Sequence, residues 1–458
     1  MCGIVGMVNQ YREVASYLYI GLFAQQHRGK ESACIVTWDG ENFHDKGDMG
    51  EIPAIFRGDA LKKLPGQIGI AHNRYSTASS SDPENIQPIR EFWKGKQFWV
   101  AHNGNLINAE EIRQECFNRG KIPVTSSDTG AMATLISLSQ ASSFEEAVKE
   151  TVPKLKGSFS IVILTDDELI AVRDELGIRP LCLGKRENDW ILASETCVFS
   201  HLGAVPVREI DPGEILIIKK SGIQEYYHPP VKKRKFCIFE LIYFSRPDSI
   251  FFGRRLMKIR ENTGRFLGKT KPVPVSPEII AIPIPDSGMY GGLGFIKELG
   301  LENGGAYVLL RPHIFSRTFI EPVQTLRELG ASLKYVIFEE NVRGKIIVLI
   351  DDSTVRGTTT KKLVKRMRDA GAVEVHARIC SPPYRYPCYY GIDTYRVRNE
   401  LLAARHNGNL EEMRQELDLN SLGYLDIGPL IQAIIQTPGE PLKDCDFCTA
   451  CFTGESPL

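Results

Sequence analysis

Three groups of residues have types and spacings suited to chemistry. Cys2 directly follows Met1, and excision of a Met before a small residue leaves a thiol and a free α-amine on one residue. An α-amine with a pKa of roughly 7.7–8.0 keeps a neutral fraction near pH 7, so it can take the thiol proton while sulfur attacks a carbonyl. Such acyl transfer needs oxyanion donors and a grip on the substrate. The Asn103-Gly104 pair follows an apolar run and offers a side-chain amide and a backbone N–H. Arg74, in AHNRYST, offers a fork for a carboxylate, and Asp128, in SSDTG, is placed for helix capping or for holding an ammonium.

The second group is VLIDDSTVRGTTT, Val348 to Thr360. Its apolar run reads as a strand, its acids as ligands of ribose hydroxyls or Mg²⁺, and its hydroxyl-rich turn at a helix start as a phosphate cradle. The third is CDFCTAC, holding Cys445, Cys448 and Cys451, with Cys237 and Cys388 far off in the chain. Two C-x-x-C spacings aim thiolates at one metal centre, zinc or a four-iron cluster.

These residues require a scaffold. Ile4 to Val8, Gly69 to His72, Phe98 to Gly104 and Ser160 to Leu164 read as strands, and Tyr17 to Gln26, Ala109 to Asn118 and Gly130 to Leu138 as helices. Helices arriving in blocks predict layers of antiparallel sheet and helix. YYHPPVKKRK, Tyr226 to Lys235, reads as an exposed connector and domain boundary. Beyond it the grammar changes. Ile279 to Ile284, Lys345 to Ile350 and Val373 to Ile379 read as strands, with helices at Gly288 to Leu299 and Thr358 to Ala370. That alternation predicts a parallel sheet with ligands at its carboxyl edge.

Composition narrows the class. The 458 residues are 43% hydrophobic and carry 56 basic and 56 acidic side chains, so neither a nucleic-acid nor a membrane partner is expected and a cytoplasmic enzyme is. Eleven unevenly spread cysteines, an odd number, argue against a disulfide framework.

The segments MCGIVG, QQHRGKES, AHNRYSTA, NIQP, AHNGNL and SSDT resemble class II glutamine amidotransferases, which are N-terminal-nucleophile hydrolases. The resemblance implies an α+β sandwich of αββα layers over residues 2–230. It implies Cys2 as nucleophile, Asn103 and Gly104 as oxyanion hole, and Arg28, Arg74 and Asp128 as glutamine-binding residues. VLIDDSTVRGTTT and PIPDS, Pro283 to Ser287, resemble type I phosphoribosyltransferases, implying an α/β domain over 231–440. There Asp286, Ser287, Asp351, Asp352, Ser353, Thr354, Val355, Arg356, Gly357 and Thr358 would bind phosphoribosylpyrophosphate, with Ser287, Asp351 and Asp352 at Mg²⁺. The family that joins the two domains releases ammonia from glutamine and transfers it to phosphoribosylpyrophosphate, giving 5-phosphoribosylamine at the start of purine synthesis. Membership implies a homotetramer inhibited by purine nucleotides. Its iron–sulfur subgroup implies Cys237, Cys388, Cys448 and Cys451 as ligands of a [4Fe–4S] cluster, with 441–458 as a Cys-rich tail and Cys445 spare. The chain departs from the family at Arg311-Pro312-His313-Ile314 and at Phe338-Glu339-Glu340, where a carboxylate would repel pyrophosphate. A different phosphoribosyl acceptor, or a nucleotide- or redox-responsive homologue, therefore stays open.

Overall fold

A computed structural model describes residues 1–75, 82–231, 233–301, 308–312 and 335–458. The end of AHNRYSTA and His313-Ile314 lie outside the described residues.

Two antiparallel sheets build the first half. One has the order β11 (Val205–Glu209), β9 (Cys182–Arg186), β10 (Asp189–Ala193), β1 (Gly3–Val8), β4 (Ile68–Arg74), β2 (Ser32–Trp38), β3 (Phe43–Met49). The other runs β13 (Gly222–Tyr227), β12 (Ile215–Lys219), β8 (Glu168–Arg173), β7 (Gly157–Leu164), β6 (Lys96–Leu106), β5 (Ile89–Trp93). The inner strands β1, β2, β4, β7 and β8 are buried nearly throughout because both faces are covered, whereas the edge strands β3, β5 and β11 carry exposed residues. In β1, Ile4 and Val8 point into the seam between the sheets, whereas Val5 and Met7 point to an outer helical layer. β6 divides likewise, with Trp99 and Ala101 in the seam and Phe98 and Val100 outside. The helices Ala15–Ala24 and Cys197–His201 cover the first sheet with Leu18, Leu22, Val198 and Phe199. Ala109–Asn118, Asp128–Ser137 and Phe144–Thr151 cover the second with residues such as Ile112, Met132 and Val148. The layering is the expected αββα.

The second half contributes β14 (Phe236–Cys237), the short pair β15 (Ile250–Phe251) and β16 (Arg254–Arg255), and a parallel sheet. That sheet has the order β17 (Ile279–Pro283), β20 (Ile346–Asp351), β21 (Glu374–Ile379), β22 (Ser421–Tyr424). β18 (Leu309–Leu310) pairs with β19 (Val336–Ile337), and β14 pairs in parallel with β23 (Phe447–Cys448). The helices Leu256–Thr270 and Met289–Leu299 meet through glycines. A Cβ on Gly264 would sit 1.8 Å from the Gly291 carbonyl oxygen, and one on Gly294 1.8 Å from that of Glu261. Any side chain there would force the helices apart.

Strand β13 ends at Tyr227 and β14 begins at Phe236, so regular structure pauses at the expected connector. Packing does not pause. One apolar cluster runs from Met1, Leu18 and Val198 through Phe236, Phe239, Leu241 and Phe251 to Ile259, Phe295, Ile350 and Phe452. The sequence reading stops at β21 and misses β22, whose four residues are too few and too mixed in burial to show a period.

Candidate functional site

The first site gathers where β1 starts, β4 ends and β6 bends away. Pairing of Gly3 with Asn73 in β4 brings Cys2 beside Arg74. The Cys2 backbone N–H donates to Asn103 Oδ1 at 3.1 Å. Among the described residues Asn103 Nδ2 is buried without a hydrogen-bond partner, which leaves an amide donor next to Cys2. Gly104 is required sterically: a Cβ would lie 2.0 Å from the Ser158 carbonyl oxygen and 2.7 Å from His102 Nε2. Met1 is 1% exposed, and burial lowers its α-amine to about 4.

Around this centre, Arg74 Nη1 meets Glu31 Oε1 at 2.7 Å. Asp128 is the first residue of the helix Asp128–Ser137; it accepts from the Leu106 and Thr129 backbone N–H groups at 3.1 and 2.8 Å. Its own pKa is pushed up by burial, but the neighbouring His102 outweighs this and holds it below the ordinary range. Arg28 is placed differently from the expectation. Its guanidinium is fully buried, donates from Nε to the Cys2 carbonyl at 2.8 Å, and pairs with Glu195 and Glu240 at 2.5 and 2.8 Å. The physical reason is local: the turn Gln26–Arg28 faces inward beneath β1, so Arg28 holds the nucleophile's backbone.

The second site lies at the carboxyl ends of β17 and β20. Ser287 and Asp352 line one small cavity with Ile242, Arg260, Thr263, Gly288, Gly291 and Cys380. Asp352 is buried and accepts from its neighbour Ser353 Oγ at 2.6 Å, while Asp351 Oδ1 accepts from the Asp352 N–H at 3.0 Å. The turn from Ser353 to Gly357 leads into the helix Thr358–Asp369. Gly357 sits at φ +77°, a left-handed geometry that favours glycine, and starts that helix. The Val355 carbonyl accepts from the Leu402 N–H at 2.9 Å, Arg356 pairs with Glu400, and Arg311 pairs with Asp286. Glu339 and Glu340 occupy an exposed single turn, Glu339–Asn341.

The third cluster is sulfur. The β14–β23 register sets Cys237 opposite Cys448. Cys388 Sγ accepts from the Tyr390 N–H at 3.3 Å, and the Cys451 carbonyl accepts from the Arg385 and Tyr386 N–H groups at 3.0 Å. Burial, reinforced by Cys237, Cys388 and Cys448, raises the Cys451 thiol well above its ordinary pKa. Cys445 is exposed. Elsewhere Asp211, Glu214 and His228 converge, but Glu214 is already held by Arg208 in a forked pair.

Residues 72–201 match the family described as a glutamine amidotransferase domain. An amidophosphoribosyltransferase of Bacillus subtilis is 38% identical, aligned over all of this chain and 94% of its own length. One from Archaeoglobus fulgidus is 39% identical over all of this chain and 98% of its own length. The chain belongs to the amidophosphoribosyltransferase family. A solved glutamine phosphoribosylpyrophosphate amidotransferase of B. subtilis, complexed with ADP and GMP, superposes with a TM-score of 0.90 at 37% identity, covering 100% of this chain and 97% of that one.

Cys2, Asn103, Gly104, Arg74 and Asp128 come together, and Ser287 and Asp352 share one cavity, with Asp351 adjacent in the chain. Sequence reading missed Glu31, His102, Glu195 and Glu240. The first two stand inside quoted motifs and were open to notice. Glu195 and Glu240 carried no signal, because a lone Glu in an apolar stretch does not reveal a buried cation waiting across the fold.

Proposed function

We propose that the chain hydrolyses glutamine at Cys2 and passes the ammonia to C1 of 5-phosphoribosyl 1-pyrophosphate, releasing pyrophosphate and 5-phosphoribosylamine for purine biosynthesis. The observation that carries the first half-reaction is the Asn103 amide, whose Oδ1 holds the Cys2 nitrogen while its buried Nδ2 is left to donate. With Met1 removed, that nitrogen is the α-amine. It accepts the thiol proton as sulfur attacks the glutamine amide carbon, and Asn103 Nδ2 with the Gly104 N–H stabilises the oxyanion. The protonated amine then gives its proton to the departing amide nitrogen, which leaves as ammonia with a Cys2 thioester behind, and water hydrolyses that thioester to glutamate and free thiol. Arg74 binds the substrate α-carboxylate, oriented by Glu31, and Asp128 binds the α-ammonium.

In the second half-reaction the turn from Ser353 to Thr358 cradles the 5-phosphate, and Asp351 and Asp352 face the ribose. Asp286 and Ser287 face the pyrophosphate. Hard oxygen donors at Ser287, Asp351 and Asp352, the last two acidic, suit Mg²⁺, which would screen the pyrophosphate charge. We divide the chain at 230 and 440 into glutaminase domain, transferase domain and tail, and expect a homotetramer responsive to purine nucleotides.

The donor set at Cys237, Cys388, Cys448 and Cys451 fits a [4Fe–4S] cluster, supported by the burial of Cys237, Cys448 and Cys451, with Cys388 half-buried, and by three distant chain segments converging. Tetrahedral zinc with Zn–S near 2.3 Å needs sulfurs about 3.8 Å apart, whereas among the described residues no three of these sulfurs lie within 4.8 Å of one another. When bound, the cluster would tie the tail to the transferase domain. The deciding experiment uses Cys2→Ser: glutamine-dependent pyrophosphate release should vanish while ammonia-dependent synthesis persists. Glutamine use by Cys2→Ser at the wild-type rate would refute the assignment.

A further inference from the structure

We infer that Glu240, supplied by the segment after the glutaminase layers, is a positioning residue for glutamine hydrolysis and acts on Cys2 through Arg28. The inference rests on the assignment of Cys2 as nucleophile. Arg28 Nε donates to the Cys2 carbonyl at 2.8 Å, fixing the backbone from which the thiol projects. The same guanidinium is clamped from behind by Glu240, with Nη2 to Oε1 at 2.8 Å and Nη1 to Oε2 at 3.1 Å. Glu195, from the glutaminase half, takes Nη1 at 2.5 Å. Side chains of Arg28, Glu195 and Glu240 are all 0% exposed.

A buried fork needs both ends occupied, since an unpaired cation in a dry interior reorients or draws in water. Glu195 grips Nη1 alone, whereas Glu240 takes Nη1 and Nη2 together in a planar fork. That two-oxygen grip sets the plane of the guanidinium. Glu240 is itself held: Ser245 Oγ donates to Oε2 at 2.5 Å, and Arg179 Nη1 stands 3.5 Å from Oε1. Burial works against charge on Arg28, yet Glu240 and Glu195 overcome it and raise its pKa. Glu240 opens the π-helical turn Glu240–Phe244, three residues past Cys237 in β14. The nucleophile is therefore oriented by a side chain anchored in the other half of the molecule. Neither Glu240 nor Arg28 meets glutamine in this role, so their effect belongs to kcat, while Arg74 and Asp128 set KM.

The test compares full-length Glu240→Gln with wild type, both purified without oxygen. Glutamine hydrolysis should fall at least tenfold in kcat, with the glutamine KM and ammonia-dependent synthesis each within twofold of wild type. Ser245→Ala, which keeps every charge and removes the hydroxyl that braces Glu240 and accepts from Arg28 Nη1 at 3.4 Å, should show a smaller fall with the same split, and it serves if Glu240→Gln fails to fold. Glu240→Asp should recover part of the lost kcat. An unchanged kcat in Glu240→Gln, or in Ser245→Ala where only that variant folds, overturns the proposal. So does a parallel fall in ammonia-dependent synthesis, the mark of general packing damage. Wild-type hydrolysis abolished by Cys2→Ser is the control: if Cys2→Ser still hydrolyses glutamine, the nucleophile assignment falls first and the proposal with it.

Discussion

Gly104 shows how a single hydrogen atom in place of a side chain can decide an active site. Any Cβ would strike the Ser158 carbonyl at 2.0 Å, so Gly104→Ala must push β6 away from β7 and carry the Asn103 amide out of line. Glutamine hydrolysis should fall by about 10² or more, and ammonia-dependent synthesis should not; steady-state assays with each nitrogen source measure both. Glu195 offers a prediction in pH. Burial pushes its carboxyl upward, but His27 and Arg28 outweigh burial and hold it far below the ordinary range. A depressed carboxyl contributes stability in full above its unfolded value of about 4.3, and that contribution is lost as pH falls toward its folded value. The thermal midpoint should therefore hold from pH 7 to about 5 and decline below about 4. Glu195→Gln should be less stable at neutral pH and should lose midpoint more shallowly on acidification. An acid slope equal to wild type would show that Glu195 is not the group responsible.

Among the elements, the two-residue ladder between β14 and β23 has too few hydrogen bonds to secure a tail. Phe236 and Phe447 stand side by side in it, and Phe452 reaches Phe239 and Tyr384. The four cysteines add the missing constraint if they bind a cluster. Protein purified without oxygen should then carry about four irons per chain and absorb in the visible. Cys448→Ser should lose that iron, and amide exchange across residues 445–453 should quicken, because only the ladder, the two hydrogen bonds to the Cys451 carbonyl and the Phe452 packing then hold the tail. Iron retained in full by Cys448→Ser would remove Cys448 from the ligand set.

For the molecule as a whole, the apolar cluster joining Met1 to Phe452 makes the two halves one packing unit. Residues 1–230 produced alone would expose the face that covers Phe236, Phe239, Leu241 and Phe251, and would leave Arg28 without Glu240. That fragment should aggregate or, if soluble, hydrolyse glutamine at least tenfold more slowly than the full chain. Light scattering and a glutamate-release assay check both outcomes. A soluble fragment with full glutaminase activity would mean that the first half organises its site unaided. No helix among the described residues is long and apolar enough to cross a membrane.

The chemistry and the layering were legible in local residue patterns. Cys2, Asn103-Gly104 and the Val348 to Thr360 run are local patterns, legible because each needs particular residues at fixed short spacing. The strands of β1, β6, β7 and β20 were equally legible, because burial on both faces demands unbroken apolar runs. Only the tertiary structure decided what Arg28 does. Its place in QQHRG pointed toward substrate, yet the inward turn sends it beneath Cys2 to meet Glu195 and Glu240, which lie 167 and 212 residues away in sequence. Charge pairing across such separations leaves no periodic trace, since it depends on which surfaces the fold presses together and on how little water remains between them.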